Sequence, residues 1–171
     1  KAGNEVYVCI VTRGQQPYFS EERQIRNQAD AVECHRSIGV KETIFLDFPA
    51  AALETVNRFE LNGKLLDVVK RVQPDEVFIP HVGDMQKDHK IVNEACMVAL
   101  RPKYFPQVKR IFCYEVMSET GWDVPNIQNA FIPIMLNDEE RYFCMDTGNL
   151  TAAAIISAET EDELKESEIN K

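Results

Sequence analysis

The chain has 171 residues, 44% of them hydrophobic, which is enough for one domain with a sizeable core. Its 28 acidic and 19 basic side chains leave a net charge of -9, which excludes a general nucleic-acid or anionic-membrane binder, since phosphates are gripped by clustered Lys and Arg. No apolar run approaches the roughly 20 residues of a membrane span and no signal peptide is visible, so a cytoplasmic setting without membrane contact is expected.

Lys1-Ala2-Gly3-Asn4 reads as the end of a helix, with Gly at its C-terminus, feeding straight into a strand. There is no initial Met, and further residues are expected upstream. Glu5 to Val11 is β-branched and aromatic and reads as a strand ended by Thr12-Arg13-Gly14. Ser20 then caps a helix that carries Glu21 and Glu22 in its first turn and runs to about Ser37, with Ile25, Ala29 and Val32 inward. His35 reads as a cationic cap at the end of that helix. Thr43 to Phe48 is a second strand, and Leu61, Leu65, Val68, Val69 and Val72 mark a second amphipathic helix.

Val77-Phe78-Ile79 has the length and character of a strand buried on both faces, ended by Pro80. The polar loop from His81 to Lys87 follows, and a helix opens at Asp88-His89 with Ile91, Val92, Ala95, Cys96 and Ala99 on one stripe, stopped by Pro102. Arg110 to Val116 is a further strand, followed by a polar loop from Ser118 to Trp122. Ala130 to Leu136 suits an edge strand because of Pro133, while Arg141 to Met145 and Ala152 to Ile156 are short apolar runs of open type. The alternation predicts a Rossmann-like α/β three-layer sandwich with a mostly parallel sheet. Domain bounds are 1–136 for the α/β domain and 137–171 for an unassigned acidic tail.

The five cysteines (Cys9, Cys34, Cys96, Cys113, Cys144) include no C-x-x-C pair and read as reduced core thiols. Two imidazoles and two carboxylates (His81, Asp84, Asp88, His89) gather where a buried parallel strand gives way to a helix, the place where open α/β folds bind ligands. Asp88 is equally readable as a helix N-cap, and Asp84 as a turn residue after Gly83.

Three segments together resemble the PIG-L/LmbE family of metal-dependent N-deacetylases. They are the P-H-x-x-D-x-Q-x-D-H loop from Pro80 to His89 with its helix to Pro102; Tyr114-Glu115 with Ser118-Glu119-Thr120-Gly121-Trp122 and Asn129 to Pro133; and Gly3 to Gly14 with Ile38-Gly39-Val40 and Phe48-Pro49. The resemblance spans about residues 1–133. It implies a Rossmann-like fold and hydrolysis of the acetamide of an N-acetylglucosamine-type small molecule at zinc or another divalent cation. By this likeness His89 is a metal ligand, Asp88 orients a neighbouring polar group, and Gln86 stands where many members have an oxyanion-stabilising His. Gln can donate a hydrogen bond there but cannot supply a proton as imidazolium would. His81, Asp84, Glu119 and Trp122 are the expected lining of the sugar pocket.

The family's A-H-P-D-D-E motif, which brings two ligands and the general base on a first strand, is absent from these residues. This chain alone is therefore expected to be inactive, and the alternative is a non-catalytic sugar-binding homologue. Without that strand, neighbouring strand edges would be exposed, so poor solubility or homo-oligomeric self-association is expected. An unrelated nucleotide-binding domain ranks last, because neither G-x-G-x-x-G nor G-x-x-x-x-G-K-[ST] occurs.

Overall fold

A computed structural model describes residues 3–114 and 116, and the backbone of 153–158. The elements in order are β1 (Glu5–Arg13), α1 (Glu21–Ser37), β2 (Glu42–Pro49), a 3-10 turn at Leu53–Thr55, α2 (Arg58–Val72), β3 (Glu76–Pro80), α3 (Lys87–Ala99), β4 (Arg110–Tyr114) and β5 (Ala153–Ala158). They form a five-stranded sheet in the order β2-β1-β5-β3-β4. β1 runs parallel to β2 and β3 runs parallel to β4, so the fold is the expected Rossmann-like α/β arrangement. The run from Ala152 to Ile156, open in type on sequence grounds, supplies strand β5.

β5 lies antiparallel to both of its neighbours, pairing with Glu5–Ile10 of β1 and Glu76–Phe78 of β3. The backbone edges of β1 and β3 are thus covered there, where exposed edges were expected. The register of β1 and β2 shifts between Ile10/Phe45 and Thr12/Phe48. Asp47 in that interval has φ 56, so β2 bulges by one residue and delivers Pro49 beside Arg13 at the carboxyl edge.

Alternation along β1 sends Cys9 and Val11 to one face and Val8 and Ile10 to the other. The first pair joins Leu61, Leu65, Val68 and Val69 of α2 and Ile91, Val92, Ala95, Cys96 and Ala99 of α3 in the main core. The α3 stripe is the one hydrophobic periodicity predicts. α2 ends at Gln73, which takes the left-handed conformation (φ 53) ahead of Pro74.

α1 departs from its hydrophobic pattern. The expected inward set was Ile25, Ala29 and Val32, yet Ile25 and Val32 are 60% and 42% exposed and the buried residues are Gln24, Ala31 and Cys34. The helix is turned by about one residue, which presents small side chains to Val8 and Ile10 and lets it lie close to the sheet. His35 also departs from its expected role. Its Nδ1 meets Thr43 Oγ1 at 2.8 Å, and burial holds its pKa below the usual value, so it serves as a neutral strut between α1 and β2. No helix among the described residues is long and apolar enough to cross a membrane.

Cys9, Cys96 and Cys113 are free thiols, as expected. Cys34 is disulfide-bonded, which corrects the expectation of a wholly reduced set. Burial pushes the Cys9 and Cys96 thiols up to about 12. At pH 8 their thiolate population is about one in ten thousand, so a thiol reagent should label them only on unfolding, read by mass spectrometry with and without denaturant. Leu61 has no exposed surface within the main core, and Leu61→Ala should cost about 2–5 kcal/mol in a denaturant titration.

Candidate functional site

In chain order β1 leads outward to β2, and β3 leads the opposite way to β4, so the topology switches direction between β1 and β3. Open α/β sheets bind ligands at the carboxyl ends of the strands flanking such a point. β5 pairs with β1 only as far as Ile10 and with β3 only as far as Phe78. Thr12 and Arg13 on one side and Ile79 and Pro80 on the other lie beyond the described β5 rungs, at the position where such sheets place a ligand crevice. Pro80 is held by Asn93 of α3, whose buried Nδ2 donates to the Pro80 carbonyl at 2.8 Å.

His81 follows at the crevice and starts a tight turn. The Asp84 amide donates to the His81 carbonyl at 3.3 Å, and the Gly83 amide donates to His81 Nδ1 at 3.0 Å. An imidazole nitrogen that accepts carries no hydrogen, so the neutral His81 ring carries its proton on Nε2. The turn sends the Asp84 side chain inward, where it has no exposed surface. There Asp84 Oδ2 accepts from His89 Nδ1 at 2.6 Å. With Nδ1 donating to the carboxylate, the His89 ring, which is 3% exposed, is oriented with its Nε2 on the side away from Asp84.

Of the expected residues, His81, Asp84, Gln86, Asp88 and His89 lie in the loop after β3 and the first turn of α3, and two of them make contacts other than those expected. Asp84, expected at the sugar, lies behind His89. Asp88, expected either to cap α3 or to orient Gln86, does neither. Gln86 occupies the N-cap position with no side-chain capping bond and is half-buried. Asp88, 1% exposed, accepts the amides of Ala51 at 2.5 Å and Leu53 at 3.3 Å from the loop after β2. Helix position explains this: two residues into α3, its side chain points away from its own first-turn amides and toward that loop. Sequence reasoning missed these amides, since Ala50-Ala51-Ala52 carries no chemical signature. Arg13 closes the β1 side of the crevice and is ion-paired with Glu21. Glu119 and Trp122 lie outside the described residues.

A carboxylate behind an imidazole is the arrangement by which histidine ligands are oriented and made more basic. His89 fits a cation in that respect. Among the described residues, however, no group of three or more His, Cys, Asp or Glu side chains comes together to hold one. The described donor set thus amounts to one prepared ligand, and no metal-dependent step is derived from it.

Together, the parallel strand pairs and the switch in chain direction between β1 and β3 define a Rossmann-like α/β domain. The chain belongs to the PIG-L family, described as GlcNAc-PI de-N-acetylase, whose model matches residues 1–100. That description gives the family, whose members typically use a divalent metal, a deacetylase-type hydrolase activity. No curated protein matches the chain. Among solved structures it is similar to the conserved protein TT1542 from Thermus thermophilus, with 22% identity and a TM-score of 0.50 over 64% of this chain and 53% of that one. That likeness supports the fold, and the chain spans about half the length of that protein.

Asp84→Asn replaces a buried charge-assisted acceptor with a neutral one and should cost about 1–3 kcal/mol. It should also remove the far-downfield proton resonance expected of His89 Nδ1–H, which proton NMR of the two proteins would show.

Proposed function

We propose that this chain contributes to the active site of a metal-dependent N-deacetylase acting on an N-acetylglucosamine-type small-molecule conjugate. The observation that supports it is the buried Asp84–His89 pair at 2.6 Å, in which the carboxylate orients the imidazole where β3 gives way to α3. His89 would hold zinc, or another divalent cation, with ligands from outside the described residues. Such an ion, when bound, lowers the pKa of its water and polarises an amide carbonyl.

The chain's own residues orient and donate. Asp84 orients the His89 ring. His81 offers Nε2–H to an acetamide or sugar oxygen, and Gln86 offers an amide N–H to a developing oxyanion without transferring a proton. Glu119 and Trp122 complete the sugar pocket in this reading. A general base has no candidate among the described residues.

Zinc titration of the chain, followed by 15N NMR of the histidine rings, tests the ligand assignment. Zinc should shift the Nε2 resonance of His89 and leave His81 in its Nε2–H form, and Asp84→Asn should weaken binding about 10–100-fold. An Nε2 resonance indifferent to zinc would overturn the reading. Hydrolysis is tested on the protein with whatever coding sequence precedes Lys1 included; release of acetate from N-acetylglucosamine conjugates should stop when zinc is chelated. Gln86, which cannot supply a proton as imidazolium would, favours a second reading, a non-catalytic sugar-binding homologue. Sugar binding without zinc uptake would select it.

A further inference from the structure

We infer that Asp88 is a positioning residue that pins residues 50–53 as a fixed strap between the two sides of the crevice. This rests on the reading of that crevice as the functional site, and it assigns Asp88 a task other than orienting Gln86. Three successive tethers define the strap. The Ala50 amide donates to the Arg13 carbonyl at 2.9 Å, at the carboxyl end of β1. The Ala51 and Leu53 amides donate to Asp88 at 2.5 and 3.3 Å, at the start of α3. One side of the switch point is thereby fastened to the other by a single short segment.

The conformation of the strap requires the pin. Ala51 has φ 56, a left-handed conformation that costs a non-glycine residue about 1 kcal/mol or more. Ala51 and Leu53 point their N–H groups at separate oxygens of one carboxylate, which a neutral amide side chain, with one acceptor oxygen, could not match. Leu53 has no exposed surface and anchors the far end of the strap in the main core. Lys87 and Glu54 add an ion pair at 3.3 Å, whose solvent exposure makes it a minor contributor. Asp88 adjoins His89 in sequence, so the carboxylate that sets the strap and the imidazole that faces the crevice share one turn of helix.

Amide hydrogen exchange of the full chain, followed by NMR without added metal, tests this. In the wild type the Ala51 and Leu53 amides should be protected although they lie in a loop. In Asp88→Asn both should exchange at least about tenfold faster, while the Nδ1–H resonance of His89, held by Asp84, stays in place. Adding Ala51→Gly to Asp88→Asn removes the left-handed penalty and should recover part of the protection. Unprotected wild-type amides would overturn the inference even if the variant fails to fold. So would unchanged exchange in the variant, or loss of the His89 resonance along with the strap, which would mark a general collapse. None of these outcomes depends on zinc binding, so the strap and the deacetylase reading can fail separately.

Discussion

A carboxylate with no exposed surface must be paired, because an isolated buried charge is among the costliest things a fold can contain. Asp84 meets that demand through His89, and much of the local architecture follows. The bond spans the loop between β3 and α3 and closes it over five residues, so the helix cannot shift along its axis without breaking it. The His81 turn is held from the same place, since the Asp84 amide and the Gly83 amide both return to His81. One buried interaction thus sets the start of a helix, the path of a loop and the orientation of a ring.

Around this centre the carboxyl edge is assembled from elements that are far apart in sequence. Asn93 reaches from the second turn of α3 to hold the end of β3, and Asp88 reaches from the first turn to the loop after β2. α3 therefore has two faces with different duties. Its apolar stripe packs into the core, and its first two turns carry polar side chains that organise the rim. A helix of this kind cannot be moved to suit the site without disturbing the core, which makes the site rigid where it must be exact in geometry.

The core of α2 and α3 was legible in the residues because long apolar stripes at helical spacing admit one orientation. α1 was not, since it offers small residues on one side and Ile25 and Val32 on the other, and close approach to the sheet outweighed hydrophobicity. The cluster of His81, Asp84, Gln86, Asp88 and His89 was visible as a group on one loop. Its internal wiring was not: which carboxylate serves the ring and which serves a distant loop depends on helix phase and on the bulge at Asp47, which carries Pro49 and the residues after it to the edge. β5 was recognisable only as a short apolar run. Its pairing joins residues near opposite ends of the described chain, and no local pattern encodes such a partnership.

That partnership also bears on how the sheet comes into being. Glu5 is matched with Ala158 and Glu76 with Ser157, so the half-sheet of β1 and β2 and that of β3 and β4 are bridged by a strand synthesised after all four of them. Both halves can form early from nearby partners, each with an unsatisfied backbone edge. Joining them requires closing a very long loop, the kind of step that slows acquisition of native structure. The edges of β1 and β3 that β5 covers thus stay without that partner until residues 153–158 have been made, which leaves them open to pairing with other strands in the interval.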